Sequence, residues 1–212
     1  MTNNYSLCFD TCLEKMYITL ANNSNILTSE IIENHDSKYH SAFLISTIER
    51  ILNKNNIKPQ DISLIGTNIG PGSFTGIRAC TTVARVFAQQ YNIKACGISS
   101  LEIITEAFKN NFKPQKPILT ATDARKNMAY LFVDGEIKGA ILLDEIKTLI
   151  ETGKYEVLTD TKLLPILGGT SYQELNLPLG ETLSKLVFEK SKTADCDWKK
   201  LKPLYIQPPP MG

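Results

Sequence analysis

Residues 62–78 read Ile62-Ser63-Leu64-Ile65-Gly66-Thr67-Asn68-Ile69-Gly70-Pro71-Gly72-Ser73-Phe74-Thr75-Gly76-Ile77-Arg78. Ile62 to Ile69 is an apolar run of the buried-strand type, and the glycines and proline that follow punctuate it as a turn. From Gly76 to Tyr91, residues Ile77, Cys80, Val83, Ala84, Phe87, Ala88 and Tyr91 then fall on one helical stripe. Strand, glycine-rich turn and helix in succession leave the first helical amides facing whatever fills the turn, and such an end favours anions. Gly70, Gly72, Ser73, Thr75 and Gly76 are therefore candidate anion- or nucleotide-binding residues. The competing reading is that the glycines serve a tight turn and close helix packing. No Gly-Lys-Ser/Thr follows, as a Walker A loop needs. Glycines at 70, 72 and 76 are one place too far apart for a dinucleotide fingerprint, and no acid ends the next strand. Pro71 stands where a nucleophile elbow around Ser73 would need glycine.

Upstream, Tyr5–Asp10, Lys15–Ala21 and Ile26–Glu33 read as three strands of a meander, with Asn22-Asn23-Ser24-Asn25 as a turn. Ser37 to about Asn53 reads as a helix with Leu44, Ile45, Ile48, Ile51 and Leu52 on its apolar stripe and Glu49, Arg50, Asn53 and Lys54 opposite. Downstream, Ile93–Gly97 is a short strand. Ser99-Ser100-Leu101-Glu102 carries the Ser-x-x-Glu spacing of a capping box, which starts a helix running to about Lys109. The order βββαβαβα is the ribonuclease-H-like plan on which actin, sugar kinases and heat-shock ATPases are built. That step is topological analogy and does not by itself give a function.

Asn110–Pro117, polar with two prolines, reads as a connection. Ile118–Asp123, Met128–Val133 and Ile137–Leu143 then repeat the meander, with an Asp134-Gly135 turn. A helix at Asp144–Glu151, a strand at Glu156–Leu158, a turn at Leu167–Thr170 and a helix near Glu181–Lys190 follow. The stretch Pro203 to Pro210 is extended, since consecutive prolines supply no amide donors. The expected architecture is thus α/β: two lobes of a ribonuclease-H-like, actin-like ATPase (ASKHA) fold, 1–109 and 118–212, joined by 110–117, with the second lobe truncated.

At 212 residues, roughly 1.4 domains at 150 per domain, the chain suits two small lobes. Lys plus Arg number 23 and Asp plus Glu 22, a net charge of +1, so no bulk attraction to nucleic acid or anionic membrane is built in. Five scattered cysteines form no CxxC pair, and the N-terminus lacks a basic-then-apolar leader. A reduced, cytoplasmic setting with no need of disulfides is the expectation. The two histidines, His35 and His40, lack the spacing of HExxH, so no metal site is expected.

The stretch from Gly66 to Glu102 resembles the TsaB (YeaZ) family signature, a GPGSFTG(L/I)R loop leading a helix, followed by G-(V/I)-S-S-L-E. Phe9-Asp10-Thr11 resembles that family's I-D-T, and His40-Ser41 the H-S that opens its first helix. Asp123-Ala124-Arg125 through Tyr130 resembles D-A-R-x-x-x-(V/A)-Y, and Pro203-Leu204-Tyr205-Ile206 resembles P-x-Y-(L/I)-R, with Gln207 in the place of the closing Arg. The resemblance implies a non-catalytic subunit of the machinery that forms threonylcarbamoyladenosine beside the anticodon of tRNAs reading ANN codons. It would dimerise with the catalytic paralogue TsaD, work with the ATPase TsaE, and self-associate when alone. It would need no cofactor of its own, with ATP or ADP a candidate at the partner interface, and would meet tRNA through the complex rather than any membrane.

An actin-like ATPase uses Asp-x-Gly after each lobe's first strand so that backbone can approach phosphate. Here Asp10-Thr11-Cys12 and Asp123-Ala124-Arg125 keep the acid and lack the glycine, so no catalytic residue is expected. Gly168-Gly169 could line an adenosine-type pocket or be a surface turn. Partner contact is expected on helix faces. Phe43 and Val86 fall off their apolar stripes and should be exposed, beside His40, Arg50, Arg78, Thr82 and Gln89. Lys109, Lys113, Lys116, Arg125, Lys126, Lys199, Lys200 and Lys202 are candidates for tRNA, or plain solvated surface. An active phosphotransferase and a self-dimerising nucleotide-binding regulator are the competing functions.

Overall fold

The structure, a computed structural model, describes residues 4–33 and 40–207. His35, the expected helix start at Ser37 and Pro208–Pro210 lie outside the described residues, as does the His40 side chain.

Three antiparallel strands open the chain: β1 (Tyr5–Asp10), β2 (Met16–Asn22) and β3 (Asn25–Ile32). Then come α1 (Leu44–Lys54), β4 (Ile62–Asn68), α2 (Phe74–Tyr91) and β5 (Lys94–Ile98), with β4 and β5 parallel to β1. The sheet order is β3-β2-β1-β4-β5. Side chains alternate across a strand. Leu7 and Phe9 of β1, with Ile18, Leu20 and Ile65, meet Ile48, Ile51 and Leu52 of α1 and Ile77, Cys80, Ala84 and Ala88 of α2. Asn92 closes α2 in the left-handed region at φ 52°.

A second sheet repeats the first. It follows α3 (Ser100–Phe112) with β6 (Ile118–Asp123), β7 (Met128–Val133), β8 (Glu136–Leu142), α4 (Leu143–Glu151), β9 (Glu156–Thr159), α5 (Leu164–Leu167) and β10 (Thr170–Ser171). Its order, β10-β9-β6-β7-β8, matches the first strand for strand, so β6 is the counterpart of β1 and β9 of β4. The truncation is explicit: α2 has 18 residues and its counterpart α5 has 4, and β10 has only 2. Leu119, Ala121, Leu131 and Val133 pack with Leu143, Ile146, Leu163 and Leu167 in a core of their own. Asp134 and Gly135, at φ 54° and 80°, make the expected hairpin turn.

Two expectations are corrected. The chain forms two compact units, 1–100 with 179–204, and 101–178 with 205–212, rather than consecutive lobes divided at 110–117. The reason is α6 (Leu179–Thr193), which returns to the first sheet and packs on the face opposite α1 and α2. Gly66 permits this: a Cβ there would lie 2.5 Å from Val187 Cγ2 of α6 and 2.6 Å from Cys8 Sγ. The same return sets Cys196 beside β5, where it is disulfide-bonded to Cys96, 100 residues away. Core-forming composition and the odd number and scatter of the cysteines, on which the expectation of a reduced chain with no need of disulfides stands, do not register a contact made by a helix folding back. Among the described residues no helix is long and apolar enough to cross a membrane.

Candidate functional site

The C-terminal ends of β1 and β4 carry the polar residues that an ATPase of this plan would aim at phosphate. Asp10 ends β1 and is 1% exposed. Its Oδ1 accepts the Cys12 amide at 2.6 Å, and its Oδ2 accepts Asn68 Nδ2 at 2.9 Å. Burial pushes the carboxyl above its usual range, and the bonds from Asn68 and Cys12 pull it back. Asn68, the last residue of β4, is fully buried; its Oδ1 accepts the Gly70 amide at 2.8 Å and Ser100 Oγ at 2.9 Å. Ser100 Oγ also lies 2.6 Å from Pro71 O, behind a cis Gly70–Pro71 peptide. One network therefore fastens β1, β4, the glycine-rich turn and the start of α3.

That turn closes on the chain itself. Ser73 donates its amide to Cys12 O at 2.8 Å, and its Oγ accepts the Gly76 amide at 3.3 Å, capping α2. A Cβ at Gly76 would lie 1.8 Å from Thr11 O, and one at Gly72 2.4 Å from Cys12 O. Both glycines meet the packing requirement. Gly70 adopts φ 103°, which L side chains rarely do, and Thr75 is exposed. Where an ATPase would have glycine backbone open to phosphate, Thr11-Cys12 is packed against Gly72 and Gly76.

The second unit repeats the motif in weaker form. Asp123 Oδ1 accepts the Arg125 amide at 2.9 Å, as Asp10 accepts Cys12, and Oδ2 meets Lys162 Nζ at 3.2 Å. The Asp123 amide is held by Asp160 Oδ2 at 2.6 Å. Gly168 caps α5 in open space, and Gly169, at φ 86°, abuts Val157 O of β9, so the pair carries the chain from α5 into β10. Sequence reasoning missed Asn68, Ser100 and Asp160. The signal was a polar residue ending an apolar strand, visible at Asn68 but ambiguous without the partner strand.

On the helix faces, Val86 is 61% exposed, as expected, with Arg78, Thr82 and Gln89 exposed along the same stripe of α2. Arg78 lies over the Phe74 ring at 4.3 Å. Phe43 is corrected. It belongs to the 3-10 turn His40–Phe43 that precedes α1, so α-helical angles do not apply to it, and it packs against the first core. The exposed apolar residue of α1 is Ile45, at 66%. Arg50 is paired with Glu30 of β3, whose carboxyl it holds below the usual range. Of the basic candidates, Lys109 pairs with Glu106, Lys200 with Asp195, and Lys116 reaches Gly153 O, while Arg125 and Lys126 are exposed at positive φ.

Residues 25–152 match the family described as TsaD, tRNA N6-adenosine threonylcarbamoyltransferase. The tRNA threonylcarbamoyladenosine biosynthesis protein TsaB of Buchnera aphidicola subsp. Baizongia pistaciae is 30% identical over 125 residues, 58% of this chain and 55% of that protein. Its namesake from Bacillus subtilis is 30% identical over 124 residues, 58% of this chain and 52% of that protein. The chain thus matches about half the length of these curated relatives. Among solved structures, YeaZ from Pseudomonas aeruginosa superposes with a TM-score of 0.70 at 17% identity over 95% of this chain and 99% of that one. A second Pseudomonas aeruginosa structure, an uncharacterized protein with similarity to peptidase YEAZ, gives 0.75 at 17% over 96% and 100%. At these identities the superpositions establish the fold. With the family match spanning more than half of the 212 residues, and with curated relatives named TsaB, the chain belongs to the family described as TsaD, tRNA N6-adenosine threonylcarbamoyltransferase.

Proposed function

We propose that this chain serves threonylcarbamoyladenosine formation in tRNA as a non-catalytic subunit, docking onto a catalytic TsaD-type partner in the cytoplasm through the exposed faces of α1 and α2. The observation that carries the reading is the state of the phosphate turn. Asp10 is buried and its two carboxylate oxygens are bonded to Cys12 and Asn68, and Thr11-Cys12 is packed against Gly72 and Gly76. An acid so enclosed cannot carry a hydrated metal to a nucleotide, so phosphate chemistry falls to the partner. Ile45 and Val86 supply apolar surface that a partner helix would cover.

The test is co-expression with the TsaD-type protein of the same organism, with Ile45→Glu and Val86→Glu variants and threonylcarbamoyladenosine measured in the tRNA. Loss of co-purification and of modification together supports the reading. Normal binding by both charged variants overturns the helix-face part, and ATP turnover by the isolated chain overturns the non-catalytic part.

A further inference from the structure

The Cys96–Cys196 bond joins the middle of β5 to residues 194–204, the strap that follows α6. In the cytoplasmic setting of the proposed function thiols are kept reduced, and the disulfides that do form there are as a rule transient and redox-sensing. We propose that Cys96 and Cys196 are a reversible thiol–disulfide switch. Oxidised, the pair clamps the strap onto β5, α2 and the glycine-rich turn; reduced, it lets the strap open while the rest of the first unit stays folded. The cellular setting rests on the proposed function, and the device itself on how the strap is tied.

Besides the sulfur bond, hydrogen bonds and two side chains hold the strap. The Ala95 amide donates to Cys196 O at 2.8 Å, Arg85 Nη1 to Leu201 O at 3.1 Å, and the Leu204 amide to Ile69 O at 2.8 Å. Trp198 packs against the first core, and Leu201 fills a slot left by Gly97, where a Cβ would lie 2.8 Å from Leu201 Cδ1. Ties of this kind break in local opening. Helix α6 is anchored without the bond: Val187 is fully buried against Gly66, Lys190 Nζ donates to Gly97 O at 2.8 Å and Lys94 Nζ to Ser191 O at 3.3 Å. Reduction therefore acts on the strap rather than on α6. Arg85 precedes Val86 on α2, and Ile69 precedes the glycine-rich turn, so opening the strap reaches both the docking helix and the turn.

The two cysteines differ in access. Cys196 lines an open groove of about 510 Å³ with Lys94, Asp195, Trp198 and Lys199, whereas Cys96 lies within β5 at 2% exposure. A dithiol reductant enters by that groove. Its thiolate attacks Cys196 Sγ, the Cys96–Cys196 bond breaks as a mixed disulfide forms, and Cys96 leaves as a thiolate that takes up a proton. The second thiol of the reductant then displaces Cys196, which is protonated in turn. Two electrons and two protons pass from the dithiol to the pair, and the dithiol leaves as its own disulfide. Oxidised glutathione reverses the exchange and is itself reduced to two thiols.

The full chain alone is equilibrated in glutathione buffers from oxidised to reduced, then alkylated and mapped by mass spectrometry. The expected result is complete, reversible interconversion of the pair with the circular dichroism of the folded chain kept, Cys196 being alkylated before Cys96. Trp198, the one tryptophan of the chain, should brighten on reduction, because disulfides quench indole emission. The amides of Ala95, Leu201 and Leu204 should exchange hydrogen about tenfold faster, or more, in the reduced chain. Their gain should exceed that of the β1 amides, which separates strap opening from general destabilisation. A Cys96→Ser/Cys196→Ser variant should show the fast exchange in both buffers, and wild type in dithiothreitol supplies the reduced state should that variant fail to fold. A pair that stays oxidised in reduced glutathione, or never forms in oxidised glutathione, overturns the switch, as does an equal gain at the strap and β1 amides. No partner is present, so failure here leaves docking through α1 and α2 standing, and failure of docking leaves the switch standing.

Discussion

Asn68 Nδ2 donates to Asp10 Oδ2 at 2.9 Å, joining the ends of two parallel strands across 58 residues of sequence. The pair explains how a fully buried acid is tolerated: a carboxylate removed from water is stable only when donors replace its hydration. Asn68 also takes the Gly70 amide and Ser100 Oγ, so its orientation is fixed from both sides.

Asp10→Asn should therefore turn an amide donor against Asn68 Nδ2 and cost about 1–3 kcal/mol. Asn68→Asp should cost at least as much, by setting two acids together. The double variant restores the pattern in reverse: the amide now at position 10 donates to the carboxylate now at position 68, which still accepts from Gly70 and Ser100. Urea unfolding of all four proteins checks this, and recovery of less than half the summed loss would contradict the pairing.

The raised carboxyl of Asp10 fixes a sign with pH. The folded chain holds this proton more tightly than the unfolded chain, so the contribution is fully present below the unfolded value of about 3.9 and is lost as pH rises through the folded value. Proton uptake on folding, seen as a fall in urea midpoint with rising pH in the wild type and absent from Asp10→Asn, is the expected signature.

Gly76→Ala should be among the most damaging small substitutions. The added carbon would meet the Thr11 carbonyl at 1.8 Å, backbone against backbone, with no flexible side chain to give way. A loss of about 3 kcal/mol or more, or failure to fold, is expected. Gly135→Ala places its carbon in open space and should cost only the strain of its φ of 80°. Thermal unfolding of the two variants orders them.

Phe43 and Ile45 should separate packing from partner contact. Phe43→Ala removes an aromatic ring packed on the first core and should lower stability by about 1–3 kcal/mol. Ile45→Glu changes a side chain 66% exposed and should leave it within about 0.5 kcal/mol. Circular-dichroism melts of the isolated chain read both.

Reducing the Cys96–Cys196 bond should destabilise the first unit, because it frees a loop of 100 residues in the unfolded chain. A loop of that size is worth up to about 4.7 kcal/mol by chain entropy. A melt with and without reductant, beside the Cys96→Ser/Cys196→Ser variant, should show the same downward shift for both. Peptide mapping under non-reducing conditions shows whether the bond is present in the purified chain.

Much of the fold was legible because it is written locally. Ile62–Ile69 reads as a buried strand, Gly76–Tyr91 as a helix and Asp134-Gly135 as a hairpin turn, each from residues within a few positions; the structure sets the strand at Ile62–Asn68 and starts the helix two residues earlier, at Phe74. The repeated meander announced two related units for the same reason. Phe43 was misread because a helical wheel assumes a helix, and the chain there forms a 3-10 turn. The two-residue strand β10 carries too few side chains to show a period.

By itself the sequence determined the succession of strands and helices apart from α5 and β10, the acid at the end of each first strand, the absence of glycine two residues after it and the family. Tertiary structure alone decided which distant residues meet. It set Asn68 against Asp10, Ser100 against Asn68, Cys80 beside Cys12, and Cys196 against Cys96, because hydrogen bonds and thiol contacts depend on ångström distances between elements that spacing along the chain does not encode. The glycines of the Gly70–Gly76 turn show the division well. Their number and order mark the turn, but only the Thr11 and Cys12 carbonyls pressed against Gly76 and Gly72 show why no side chain fits at those two positions.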